Sequence, residues 1–367
     1  MRSTKEISNG WTLCAVIAVL LGWSSVSSIP AEAQAEGNNT ICASQSGCSP
    51  TAGSPAFIDA SVFLKPASQG RDFCDTIYYI FTHNYPSTGA VIDARGISGT
   101  TNLTCTLGSP WFENGSNYAN KPSTILLPAG TITIPSTWVL LGGTKLIGEG
   151  SETPPLPVPT PLPGATIIQA CTNSISGCNS TNFSGTMLQF GSSCPGPQCT
   201  PAPVKGISVE NVVLNGNGLS ITGIQNGQAQ ELTYVDHVTL FQILGMGLEV
   251  TANAENSGPY SNITFDTGAF SPGSSTSCAQ ILNVSGGTRG LHGLTCIGET
   301  GNGQAAVLLD SSNNSLEDVR IVGFYDGIRV GANANAQSNV LINIIGDTAQ
   351  RGERLAAQFH LPAWATI

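Results

Sequence analysis

Asn211-Val212-Val213-Leu214, His237-Val238-Thr239-Leu240, Asn262-Ile263-Thr264-Phe265, His292-Gly293-Leu294-Thr295, Asp318-Val319-Arg320-Ile321 and Asn339-Val340-Leu341-Ile342 read as six versions of one unit, a polar residue followed by a short strand. Their leading residues are 26, 25, 30, 26 and 21 positions apart. A second strand lies between successive copies: Gly223-Ile224-Gln225, Gly247-Leu248-Glu249-Val250, Gln280-Ile281-Leu282, Ala306-Val307-Leu308 and Gly327-Ile328-Arg329-Val330. Two strands per period suit a solenoid of parallel strands in which each coil stacks on the last. A hairpin sandwich would return after roughly 8–12 residues, with a turn dipeptide between strands. Stacking places equivalent residues about 4.8 Å apart, so Val, Ile and Leu form continuous interior rows and Asn can form a ladder at the bends.

Upstream of this region, Ile125-Leu126-Leu127, Ile132-Thr133-Ile134, Val139-Leu140-Leu141 and Leu146-Ile147-Gly148 are further short apolar strands separated by Pro/Gly turns. Six of the ten residues from Pro154 to Pro163 are proline, which makes that stretch an exposed loop. Cysteine-bearing loops at 171–178 and 194–199 follow, around the apolar segment Met187-Leu188-Gln189-Phe190. Before the strands, Phe73, Ile77, Ile80 and Phe81 fall at i, i+4, i+7 and i+8 behind Asp72 and Asp75, which predicts a short amphipathic helix. A strand is the alternative there, because Ile77-Tyr78-Tyr79-Ile80-Phe81 is rich in β-formers.

The whole chain has 367 residues, 10% of them charged and 40% hydrophobic, with 43 Gly, 22 Pro and 11 Cys. Its formal net charge of −10, with no local cluster of Lys and Arg, argues against nucleic acid as a partner. Sparse charge suits an in-register stack, where like charges would repel on every coil. Arg2 and Lys5, the apolar run Trp11–Trp23 and the small-residue sites ending at Ala33 or Ala35 have the layout of a secretory signal over residues 1–35. That run is shorter than a membrane span, so no membrane association is expected after cleavage. Removing the signal leaves an even ten cysteines, as an oxidising compartment favours. Cys42/Cys48, Cys171/Cys178 and Cys194/Cys199 are close enough to staple loops, although many pairings remain open. No Cys-x-x-Cys occurs and no His lies near a Cys pair, so no metal site is expected. The expected organisation is an N-terminal arm and helix over 36–84, the parallel solenoid over 85–347 with loop insertions at 151–205, and an atypical tail at 348–367. That tail either forms a short capping helix over 350–363 or belongs to a truncated chain lacking further coils.

Leu126-Leu127-Pro128-Ala129-Gly130-Thr131-Ile132, Leu146-Ile147-Gly148-Glu149-Gly150 and Gly327-Ile328-Arg329-Val330 carry a resemblance to a known group. Over roughly residues 85–347 the chain resembles the pectate lyase-like superfamily, which also holds polygalacturonases and phage tailspikes. The resemblance implies an all-β fold, a single-stranded right-handed parallel β-helix with a short N-terminal capping helix. It also implies a secreted protein that binds or processes a polysaccharide, pectin-like or other, as a lyase or glycoside hydrolase. The alternative is a non-catalytic extracellular or surface β-helix. Calcium would enter only with a lyase. The family's paired aspartates are missing, and only His292-Gly293 and Arg329 approach its catalytic motifs.

By strand alternation Gln225, Glu249, Gln280 and Arg329 point outward from the second strand, with Ile224, Leu248, Ile281 and Ile328 inward. These outward residues are the candidate saccharide floor, against the plainer reading that an outer face is simply polar. Glu249, Asp310, Asp326 and Arg329 are the candidate catalytic groups. Glu249, Asp266, Asp310 and Asp326 are the acids nearest strand ends, and no two of them occupy equivalent positions in adjacent coils. A hydrolase would need two carboxyls roughly 5–10 Å apart. His237 and His292 share the position of Asn211, Asn262 and Asn339, which favours a bend role over general-base work. Asp236 and Asp318 sit at the same bends, while Tyr234, Phe241 and Tyr325 could stack on sugar rings.

Overall fold

The computed structural model describes residues 56–347 except 65–70, 84–88, 100–102, 107, 114–121, 152–163, 176–177, 179–181, 192–202, 271–272, 274, 285, 299–304, 325 and 332–337. The two strands of each repeat separate into two sheets. The seven-stranded sheet runs, in spatial order, Trp138–Leu140, Thr186–Phe190, Thr222–Asn226, Met246–Thr251, Ser277–Leu282, Ala305–Asp310 and Asp326–Val330. The thirteen-stranded sheet starts at Ala56–Asp59, passes through Ser208–Leu219, Tyr234–Ile243, Tyr260–Asp266 and Ser315–Val322, and reaches Val340–Asp347. Pairings in both sheets are parallel. From Ser208 onward the chain alternates between them, an all-β arrangement compatible with a parallel β-helix.

The stack is held by apolar rows. Leu188, Ile224, Leu248, Ala279, Val307 and Ile328 are register partners on successive strands, and all are buried. Val209, Val235, Tyr260, Leu291 and Leu316 form a second buried row from the opposite sheet. The inward assignment of Ile224, Leu248, Ile281 and Ile328 therefore holds. Cys278 and Cys296, both buried, join the two sheets by a disulfide. Cys171–Cys178 staples a loop as its spacing suggested, whereas Cys74 pairs with Cys105 at the N-terminal end. The cysteines at 42, 48, 194 and 199, the segment 1–35, the proline-rich stretch and the tail at 348–367 lie outside the described residues.

The helix forms at Phe73–His83, with Phe73, Ile77, Ile80 and Phe81 buried. Asp72 accepts the Asp75 amide at 3.0 Å and the Thr106 amide and hydroxyl at 2.6 and 2.8 Å, so one carboxylate starts the helix and ties it to the next segment. Phe73 stacks on Trp138, which also meets Trp111 edge to face. The strand alternative for this segment fails because its apolar residues form one stripe against a single packing surface.

Three expectations are corrected. Ala56–Asp59, assigned to an arm, pairs in register with Ala90–Asp93 and begins the large sheet. Within the 151–205 insertions, Thr166–Ala170 and Thr186–Phe190 are sheet strands. The bend column is Asn211, His237, Asn262, Gly293, Asp318 and Asn343, with φ between +51° and +65°. Register assigns these positions: Glu210 pairs with Asp236, Asp236 with Ser261, Ser261 with His292, His292 with Glu317 and Glu317 with Ile342, each immediately preceding its bend residue. His292 and Asn339 thus leave the column to Gly293 and Asn343. Left-handed backbone selects Gly, Asn, Asp and, less often, His, and polarity alone does not.

Candidate functional site

Gln189, Gln225, Glu249, Gln280, Leu308 and Arg329 lie in one outward row on consecutive strands of the seven-stranded sheet. Gln225 donates from Nε2 to Glu249 Oε2 at 2.8 Å, so these two predicted floor residues are brought together. Leu308 interrupts the row before Arg329, and the Arg329 guanidinium pairs with Asp326 three residues earlier. Gln280 is only 3% exposed, which removes it from an open floor. Alternation decides the side from which a residue leaves the strand, and does not decide what lies over it. Asp310 ends its strand beside Gly331, where a Cβ would stand 2.1 Å from the carboxylate. Glu249, Asp310 and Asp326 have Gln280, Leu282 and Ala305 as register partners, so they do not form a carboxyl pair across neighbouring strands. Among the described residues, no three His, Cys, Asp or Glu side chains converge at a distance that would hold a metal ion.

The corrected bend column exposes a second row on the large sheet. The residue before each bend points outward, and the series reads Glu210, Asp236, Ser261, His292, Glu317. Glu210 Oε1 accepts from the Tyr234 hydroxyl at 2.6 Å and from Ser208 Oγ at 3.1 Å. Burial and the neighbouring carboxylate raise the Tyr234 pKa above the ordinary phenol value. Asp236 accepts Ser261 Oγ at 2.8 Å and Asn262 Nδ2 at 2.9 Å on one oxygen, and meets His237 Nδ1 at 2.8 Å on the other. Burial works against its charge, but donations from Asn262, His237 and Ser261 prevail and hold its pKa below the usual carboxylate value. Sequence reading missed His292 as the register partner of Ser261 and Glu317, because placing it in the bend column took it out of this row. Glu210 was legible as the counterpart of Asp236 from the equivalence of Asn211 and His237 and was passed over. His237 is in the left-handed bend conformation and 58% exposed at its side chain, the bend role its spacing suggested.

A third feature is an open cleft of about 430 Å³ between the Cys171–Cys178 loop and the corner after Ser208–Leu219. Among the described residues it is lined by Gln169, Thr172, Asn173, Ser174, Ile175, Asn182, Asn217, Leu219, Gln242 and Phe270, none of them ionisable. Gln169 Nε2 donates to Asn217 Oδ1 at 2.9 Å, and Asn217 Nδ2 donates to the Ala170 carbonyl at 2.6 Å. On the other wall, the Asn173 amide donates to Asn182 Oδ1 at 3.0 Å. The Phe270 ring, 40% exposed, lies over Gly218, where a Cβ would come within 2.7 Å of it. Sequence reading proposed none of these cleft residues as a binding group. Phe241, by contrast, is buried with Ala165, Ile167 and Val213, and Tyr234 is committed to Glu210. Tyr325 lies outside the described residues.

Three disulfides among the described residues fit folding in an oxidising compartment. No family model matches the chain, and no curated protein matches it. A solved structure described as Geobacillus virus E2 ORF18 is similar at a TM-score of 0.34 and 9% identity, over 79% of this chain and 59% of that one. The aligned region thus spans less than two thirds of that viral chain.

Proposed function

We propose that the protein is a secreted, single-stranded right-handed parallel β-helix of the pectate lyase-like type that binds a neutral polysaccharide. The cleft beneath Phe270 carries this reading: amides and hydroxyls that both donate and accept, beside an exposed aromatic face, are what sugar hydroxyls and the apolar face of a pyranose ring require. Among the described residues that line it the cleft has no cationic group to pair with a uronate carboxylate, which favours neutral polymers over pectate. Binding is preferred to lyase or hydrolase action at Glu249, Asp310, Asp326 and Arg329 because Arg329 is engaged by Asp326 and the acids lack register partners of their own kind. The signal-like segment and the even cysteine number support export.

Affinity electrophoresis of the full chain through gels containing xylan, β-glucan, galactomannan or polygalacturonate tests the proposal. Retardation by at least one neutral polymer, removed by Phe270→Ala and weakened by Asn217→Ala, is the expected result. Retardation by polygalacturonate alone, or by neutral polymers equally in wild type and Phe270→Ala, would overturn it. Absorbance growth at 235 nm on polygalacturonate with calcium would favour the lyase reading.

A further inference from the structure

The outward row of the large sheet contains Ser261, His292 and Glu317 on three consecutive strands, in register. His292 Nδ1 stands 3.3 Å from Glu317 Oε2, the side of the imidazole that an orienting carboxylate must hold. Ser261 is the register neighbour on the other side, one interstrand spacing of about 4.8 Å away at the backbone. Hydroxyl, imidazole and carboxylate therefore stand in the spatial order of an acyl-transfer triad, on rigid strands. We propose that Ser261, His292 and Glu317 cleave carboxylic esters, with Ser261 as nucleophile, His292 as general base and acid, and Glu317 as the positioning residue. This activity goes beyond polysaccharide binding and uses none of the residues that line the cleft.

Ser261 Oγ donates to Asp236 Oδ1 at 2.8 Å, and His292 Nε2 faces the Arg289 carbonyl at 3.1 Å. Attack requires both contacts to be exchanged for one between Oγ and Nε2. His292 is 32% exposed at its side chain, which leaves the ring room to turn. Ser261 Oγ then bonds to the ester carbonyl carbon as its proton passes to His292 Nε2. The bond to the alkoxy oxygen breaks, and the alcohol leaves with that proton. Water attacks the acyl-serine, gives a proton to His292 Nε2, and the proton returns to Ser261 Oγ as the carboxylic acid departs. Ester and water are consumed, acid and alcohol are formed, and no oxidant or metal is required. Asn262 Nδ2 shares Asp236 Oδ1 with Ser261 Oγ, so an amide donor stands beside the nucleophile.

A fluorophosphonate probe and 4-nitrophenyl acetate test the triad on the full chain. Expected are a single phosphonylated peptide carrying the label on Ser261, loss of label in Ser261→Ala, and esterase turnover lowered by about 100-fold or more in Ser261→Ala and His292→Ala. Glu317→Gln should lower kcat and leave KM unchanged, which distinguishes positioning of the imidazole from a general loss of folded protein. Unchanged far-ultraviolet circular dichroism accompanies each variant. Asp236→Asn, which weakens the competing hold on the Ser261 hydroxyl, should retain labelling. Absence of label in wild type, label on another residue, or turnover unaffected by Ser261→Ala would overturn the proposal without touching polysaccharide binding.

Discussion

Gly293→Val and His292→Val, adjacent substitutions, should have very different consequences. Gly293 sits at φ +65° in the bend column, and His292 is in the preceding strand, outside the left-handed region. An L-residue in left-handed backbone costs about 1–2 kcal/mol, and a β-branched one more. A Cβ at Gly293 would also lie 3.0 Å from Asn262 Oδ1, pressing on the amide that donates to Asp236 at 2.9 Å. Loss of that bond adds about 1 kcal/mol, for a total of about 2–4 kcal/mol. His292→Val gives up a partly exposed pair with Glu317, about 0–1 kcal/mol, and places a good strand former in a strand. Urea unfolding followed by tryptophan fluorescence, with the slope compared between variants, measures both. Gly293→Val within about 0.5 kcal/mol of wild type, or His292→Val the more damaging of the two, would refute the register and restore the 30-residue spacing.

The same logic makes Gly148→Ala severe: its Cβ would stand 2.2 Å from the Asn211 carbonyl oxygen, and thermal unfolding should show a loss of about 2 kcal/mol or more. Replacing Cys278 and Cys296 together by Ser opens a link across 18 residues and should cost about 3 kcal/mol, seen as a lower urea midpoint that no longer responds to reductant at this site. Tyr260 is fully buried, and burial pushes its phenol up to about 12 despite hydrogen bonds with Ser257 and Asn226. Because the folded value exceeds the unfolded one of about 10, the associated stability is complete below pH 10 and declines as pH rises toward 12. Tyr260→Phe should lower stability at pH 8 by about 1–2 kcal/mol for the lost hydrogen bonds, yet show a shallower alkaline decline in unfolding titrations.

The parallel stack was legible in the residues alone, because burial repeats with the chain: Ile224, Leu248 and Ile328 each follow a glycine, and each ends in an interior row. The helix was favoured by the apolar spacing of Phe73, Ile77, Ile80 and Phe81, while the β-formers of 77–81 left a strand open until packing of that stripe decided it. The outward side of Gln225, Glu249 and Arg329 was legible for the same reason, since alternation is local. What covers an outward residue depends on segments remote in the chain, so the burial of Gln280 and the cleft joining Gln169 to Phe270 appeared only in three dimensions. The bend column was half legible: Asn, His and Asp announce it, but a glycine carries no polarity, so Gly293 hid behind His292. One residue of slip turns every neighbour to the other face. Tertiary hydrogen bonding between strands decided that register, and with it the row in which Glu210, Asp236, Ser261, His292 and Glu317 stand side by side.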